Sequence, residues 1–132
     1  MSTGHGQLVD LSPEECWELL RGTPVGRIAW TTPDGPEVVP INLAVEEQTV
    51  LVRTAAYSAL AQRVDAERVA VQVDHLDAET HTGWSVLARG VAEIEYGESR
   101  EQGPEPWAAG TRRTLIAIRI DTVSGRRLLP PT

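Results

Sequence analysis

Apolar residues that recur at every second position predict that most of this chain forms short β-strands. The clearest run is 68–74, where Val69, Val71 and Val73 alternate with polar and small residues. Weaker runs, rich in apolar and β-branched residues, cover 25–31, 38–45, 49–54, 81–94 and 113–120. Together these segments predict about six strands separated by turns.

Two segments carry helical signals instead. Ser12–Glu15 contains a cap residue, a proline suited to the first helical turn and a capping-box glutamate. Gly22 and Pro24 end this helix. A second, shorter helix is predicted over 57–64. Strands in this number with two flanking helices predict a mainly β fold, a small antiparallel barrel.

The chain length predicts a single domain. In a chain of 132 residues, one core is expected over 11–132, and residues 1–10 are expected to form a flexible tail. The hydrophobic fraction of 41% is enough for a core. A chain this small nevertheless gains from burying one face against a partner.

Composition excludes several classes of partner. The formal net charge of −7 repels phosphate backbones and anionic lipids, so neither nucleic acid nor a membrane is expected as a partner. Cys16 is the single cysteine, which excludes an internal disulfide and favours a reducing, cytoplasmic location. No apolar run approaches the ~20 residues of a membrane span, and the N-terminus lacks the features of a signal peptide.

Pro40 lies inside the second predicted strand. Because proline cannot donate a backbone hydrogen bond, this strand is expected to be bulged or at an edge there. The backbone groups freed near Ile41 and Asn42, together with the Asn42 amide, could meet a ligand that has both donors and acceptors. An ordinary edge strand explains Pro40 equally well.

The strand over 81–94 has an unusual start. Gly83, Trp84 and Ser85 place a flexible backbone unit, a flat ring and a hydroxyl side by side, which suits a planar polar ligand. On these residues alone, the stronger interpretation is that Trp84 is a core aromatic at the mouth of the barrel. Further along, Gly90 predicts a bulge or a sharp bend.

A candidate anion site lies where the strand over 49–54 leads into the second helix. Arg53 and Thr54 end the strand, Ser58 lies at the start of the helix, and Arg63 adds a second cation one turn later. A guanidinium, hydroxyls and free helix N–H groups are the usual ligands of a phosphate. The alternative is that Arg53 is solvated and Ser58 is only a helix cap.

Other polar and aromatic residues give weaker signals. His75 and His81 fall with three acids in the eight positions 74–81, but their spacing matches no compact metal motif. No metal site is therefore expected, and a pocket-lining role is the better interpretation. Trp107 either covers the core or reaches a pocket. Cys16 is expected to be a small buried hydrophobe. A turn or bulge is expected at Ser124-Gly125.

The order of the motifs resembles the pyridoxamine 5'-phosphate oxidase-like, flavin-binding split β-barrel family, in its short GWSV-type branch. The matching stretches are SPEEC…LL at Ser12–Leu20, GRIAW at Gly26–Trp30, PIN at Pro40–Asn42, RT…S at Arg53–Ser58, GWSV…G at Gly83–Gly90 and SGRR at Ser124–Arg127. The resemblance covers the chain from about Leu11 to Leu129.

The resemblance implies a Greek-key split barrel that forms a homodimer with flavin mononucleotide (FMN) at the interface. It implies an FMN-dependent oxidoreductase with a small-molecule substrate and a nicotinamide as a potential electron donor. Carried over by motif, Pro40, Ile41 and Asn42 face the edge of the flavin ring, Arg53, Thr54 and Ser58 hold the phosphate with Arg63, and Trp84 and Ser85 line the same site. Trp107 and the Arg126-Arg127 pair border the substrate side. No catalytic residue is implied, because the flavin carries the chemistry.

One departure from the family pattern bears on function. The family commonly has a lysine after the serine of the phosphate motif, whereas Ala59 follows Ser58 here. The missing charge-assisted contact is worth about 1.5–3 kcal/mol unless Arg63 compensates. The alternative function is therefore a non-catalytic binding or carrier protein for flavin, deazaflavin or haem.

Overall fold

The fold is a closed antiparallel barrel, which the computed structural model describes for residues 5–54, 59–95 and 114–131. Its strands are β1 (Gln7–Asp10), β2 (Val25–Thr32), β3 (Gly35–Glu46), β4 (Thr49–Thr54), β5 (Arg68–Asp77), β6 (Thr82–Glu95) and β7 (Thr114–Leu129). The two helices are α1 (Pro13–Arg21) and α2 (Ala59–Val64). No helix in these three segments is long and apolar enough to cross a membrane. The predicted mainly β class with flanking helices is confirmed.

Pairing between β6 and β7 closes the sheet into a ring. The strand order is β1-β7-β4-β3-β2-β5-β6, and β6 also pairs with β7. Six strands therefore form the ring, in agreement with the sequence. The seventh strand, β1, pairs with Arg126–Leu129 of β7. Part of the segment expected to be a flexible tail is thus a strand, and four mostly exposed residues were too short a run to predict it.

The core lies inside the ring. Inward-facing side chains of every ring strand are buried, among them Ile28, Val50, Val52, Val71, Val73, Val86, Ile116 and Ile118. Each such side chain contributes about 1.5–3 kcal/mol by leaving water. Helix α1 adds Cys16 and Leu20, which are fully buried. Burial raises the pKa of the Cys16 thiol, in keeping with its predicted role as a small hydrophobe.

Helix α1 has the predicted capping box. The Ser12 N–H donates to the Glu15 carboxylate over 3.1 Å, and the Glu15 N–H donates to the Ser12 hydroxyl over 3.2 Å. The hydrogen bond from the Ser12 backbone lowers the pKa of Glu15. The helix ends at Gly22, as predicted.

Glycine 125 lets α1 approach β7 closely. The Leu11 N–H donates to the Gly125 carbonyl over 2.9 Å, and a Cβ on Gly125 would lie 2.9 Å from Cys16 Sγ. The predicted turn or bulge at Ser124-Gly125 is wrong, because β7 continues through both residues. The glycine serves helix packing instead.

The bulge predicted at Gly90 is confirmed. Arg89 pairs with Thr122 and Gly90 pairs with Ile120, so Asp121 is the extra residue of β7. Asp121 reaches across β6 to Arg68 of β5, with N–O distances of 2.8 and 3.1 Å. The hydrogen bond from Arg68 lowers the pKa of Asp121.

We expect Gly90→Ala to destabilise the barrel by at least about 2 kcal/mol, because the added Cβ would overlap the Arg119 carbonyl oxygen. Urea unfolding followed by circular dichroism measures this loss. The control is Gly22→Ala, whose Cβ would meet nothing nearer than 3.5 Å. Equal stability of the two variants would contradict this account of the bulge.

Candidate functional site

A gap between β3 and β4 opens the barrel beside Pro40. Pairing of β3 with β4 starts at Leu43 and Val52, whereas β2 pairs with β3 along residues 35–42 as well. The Leu43 N–H donates to Pro24 O, on the β2 side. Backbone N–H groups alternate along a strand, so position 40 faces the β4 side, where proline has no N–H to offer. Among the described residues, no strand pairs with β3 beside Pro40 on that side, which confirms the predicted edge position there.

The outward side of the strands next to this gap is polar. Inward neighbours such as Ile41, Val73 and Val86 are buried, so the residues between them point outward. We call this surface the outer polar face; its residues are Arg27 on β2, Pro40 and Asn42 on β3, Gln72 and Asp74 on β5, and Ser85 on β6. The register makes it continuous, since Arg27 lies opposite both Pro40 and Gln72, and Asp74 lies opposite Ser85.

Three of these side chains form a hydrogen-bonded network. Arg27 Nη1 donates to Gln72 Oε1 over 3.2 Å and to Asp74 Oδ2 over 3.4 Å. Gln72 Nε2 donates to the same Asp74 oxygen over 2.8 Å. The network holds a cation, an amide and a carboxylate in fixed positions on one open surface.

The outer polar face unites only some of the residues predicted to bind a ligand. Pro40, Asn42 and Ser85 lie on it, whereas the Ile41 side chain is 8% exposed and belongs to the core. The backbone N–H and C=O of Ile41 face β2, as those of Leu43 do, so the backbone groups on the gap side are those of Pro40 and Asn42.

Trp84 and Ser85 point to opposite sides of β6. Trp84 lies on the inward side with Val86 and packs, partly buried, against the core. Its side chain therefore does not share the outer polar face with Ser85, in contrast to the paired role implied by the motif. The physical reason is the alternation of side chains along a strand.

Trp84 lies between two polar residues of the neighbouring strands. His75 on β5 and Arg127 on β7 lie directly opposite it on its two sides. Arg127 is close enough to Glu15 of α1 to lower the pKa of that carboxyl. Arg126 points outward beside Ser85, so the arginine pair is divided between the two sides of the sheet.

The predicted phosphate ligands are also divided. Arg53 and Thr54 alternate at the end of β4, and Thr54 is buried at 6% exposure. Arg53 lies between the buried Val52 and Thr54, so it points outward, just past the last residue of β4 that pairs with β3. Arg63 lies on the exposed side of α2, and Ser58 lies outside the described residues, as does Trp107.

The sequence did not identify Arg27, Gln72 and Asp74 as site residues. Each occupies an outward position of a strongly alternating strand, which is also the pattern of an ordinary solvated face. Only the sheet order, which makes β2 and β5 neighbours, brings the three together. Arg27 does lie within the GRIAW stretch, which was the one available signal.

Asp77 stabilises the turn of the β5–β6 hairpin. Asp77 accepts hydrogen bonds from the Thr80 and Glu79 N–H groups, which lower its pKa. His75 and His81 are both exposed. In the described segments, no group of three or more metal-ligating side chains is present.

We expect Trp84→Ala to lower the free energy of unfolding by about 2 kcal/mol, because the ring loses its packing against the core. Loss of a fully buried ring would cost more. The matched control is Ser85→Ala on the outer polar face, with a change within about 0.5 kcal/mol. Urea denaturation measures both. A Trp84→Ala protein as stable as the control would contradict the inward placement.

Comparisons with known proteins agree with this architecture. A model of the family described as pyridoxamine 5'-phosphate oxidase matches residues 12–127. The chain is also 30% identical over 132 residues to the uncharacterised protein Rv0080 of Mycobacterium tuberculosis, covering 93% of this chain and 87% of that protein.

Solved structures have the same fold. A FAD binding protein from Mycobacterium smegmatis superposes with a TM-score of 0.72 at 30% identity, covering 92% of this chain and 98% of that chain. A conserved protein of unknown function from Corynebacterium diphtheriae superposes with a TM-score of 0.75 at 25% identity, with the same coverage of 92% and 98%.

Proposed function

Since the chain belongs to the pyridoxamine 5'-phosphate oxidase family, we propose that it is an FMN-dependent oxidoreductase that acts on a small molecule. The observation that carries this proposal is the outward position of Arg53 at the end of β4, where the registered pairing with β3 has ended, next to the outer polar face. We also propose that it works as a cytoplasmic homodimer.

The dimensions of the face support a flavin. From Asn42 on β3 to Ser85 on β6 the outer polar face crosses three paired strand steps of about 4.8 Å, or about 14 Å. A flavin that carries a phosphate needs a cation at one end, and donors and acceptors along a flat ring at the other. Arg53 supplies the first, and Asn42, Gln72 and Ser85 supply the second.

Each residue then has a defined task. Arg53 binds the phosphate by a charge-assisted hydrogen bond. Asn42 and Ser85 orient the polar edge of the ring, and Pro40 removes a competing backbone donor. The flavin, when bound, supplies hydride transfer, while the protein supplies position and electrostatics.

An exposed apolar area supports the homodimer. Val38 on β3 is 60% exposed, and it lies opposite Ala29 of β2, which in turn lies opposite Ala70 of β5. This area adjoins Pro40 on the same side of the sheet. A second copy would remove it from water and shelter the ring of the flavin.

We expect the purified protein to take up one FMN per chain with absorbance near ~450 nm. Arg53→Ala is expected to weaken FMN binding at least tenfold, or about 1.5 kcal/mol, because the phosphate loses a charged partner. Arg68→Ala, which removes another exposed arginine, is the control. Fluorescence titration with FMN, FAD and haem measures these affinities. A protein that binds none of them at micromolar concentration would contradict the proposal.

A second candidate function is a carrier that binds flavin, deazaflavin or haem without turnover. It is favoured by Ala59, which offers no ammonium group to the phosphate where the family commonly has lysine. The Mycobacterium smegmatis relative is likewise described by its binding of FAD and not by a reaction.

Anaerobic mixing of the flavin-loaded protein with NADH or NADPH separates the two candidates. An oxidoreductase is expected to bleach the ~450 nm band at a rate that saturates with the nicotinamide. Loss of absorbance no faster than that of free FMN, with every donor tested, would favour the carrier.

A further inference from the structure

Arg27 lies at the centre of the outer polar face. It is opposite Pro40 on one neighbouring strand and opposite Gln72 on the other. Its side chain is 52% exposed, so the guanidinium is accessible from outside the barrel. This is the one cation within the polar network described above.

The guanidinium is anchored through a single nitrogen. Nη1 makes both hydrogen bonds, to Gln72 and to Asp74. Arginine has five N–H donors, so the donors of Nη2 and Nε remain for a ligand. Asp74 is itself fixed by Gln72 Nε2 at 2.8 Å, which holds the anchor in place.

A second arginine ion pair, between Arg68 and Asp121, has a different form. Arg68 uses both Nη1 and Nη2 on the two oxygens of Asp121, in a two-point pair that spans the bulge. Both terminal nitrogens of Arg68 are therefore occupied, and the pair stabilises the strand register. Arg27 is held through Nη1 only, so its Nη2 and Nε can donate together to a ligand.

We propose that the positive charge of Arg27 raises the reduction potential of the bound flavin and that Gln72 and Asp74 hold the guanidinium in place. This inference rests on the proposed function. A hydride brings two electrons and one proton, so its transfer from a nicotinamide or another hydride donor adds one negative charge to the ring. A fixed cation beside the ring stabilises that charge and thus binds the reduced flavin more tightly than the oxidised one.

The test compares three variants of the full-length, flavin-loaded protein. Arg27→Gln removes the charge but keeps hydrogen-bonding groups, and Arg27→Lys keeps the charge. Arg68→Gln removes a similarly exposed charge four residues along β5 from Gln72. That distance is about 13 Å, beyond the screening length at physiological salt.

The midpoint potential is measured by equilibration with a reference dye, and the affinity for oxidised FMN is measured separately. We expect Arg27→Gln to lose about tenfold in the ratio of reduced to oxidised affinity, which lowers the midpoint potential by about 30 mV. Arg27→Lys is expected to retain more than half of the effect, and Arg68→Gln to leave the potential unchanged.

A flavin-loaded Arg27→Gln protein with the wild-type potential would overturn the inference while leaving the proposed function intact. An equal shift in Arg68→Gln would also overturn it, because the change in potential would then result from the net charge of the protein and not from the position of Arg27. Failure of the wild type to bind flavin would remove the proposed function and the inference together. If Arg27→Gln does not fold, Arg27→Met, which removes the charge and keeps a long side chain, is expected to lower the potential in the same way, and an unchanged potential would overturn the inference.

Discussion

Closure of the barrel through the pairing of β6 with β7 is the constraint on which the other features depend. The two strands pair along nearly their whole length, and β7 also holds β4 and β1 on its other side. A ladder this long must twist and bend to complete a ring of six strands. Gly90 permits the bend, because only a residue without Cβ fits against the Arg119 carbonyl. The Arg68–Asp121 pair then fixes the extra residue.

The gap between β3 and β4 contrasts with that closure. Strands β3 and β4 pair over only four residues each, from Leu43 to Glu46 and from Thr49 to Val52. Pro40 removes a donor on the side that β4 would occupy. Asn42 points outward beside this gap, on the strand that pairs with β2, which carries Arg27. The same backbone interruption that opens the ring therefore also brings the candidate binding groups together.

The sequence predicted the features that depend on local chemistry. Alternation gave the six ring strands, the capping box gave α1, and Pro40 and Gly90 marked the gap and the bulge, because each of these signals acts within a few residues. The strand β1 was missed because its partner, the end of β7, is more than one hundred residues away. Strand alternation alone places the Trp84 and Ser85 side chains on opposite sides of β6, whereas the resemblance to the family assigned both to one site. Arg27, Gln72 and Asp74 could not be grouped before the sheet order was known.

Pro40 also limits aggregation through the uncovered edge of β3. In the described part of the chain, residues 35–42 of β3 have a registered partner on the β2 side only. An uncovered strand edge of this kind is a template on which strands of other chains can align and aggregate. Proline breaks the row of donors that such an alignment requires. The half-strand can thus stay open to a small ligand without becoming a nucleus for intermolecular β-sheet.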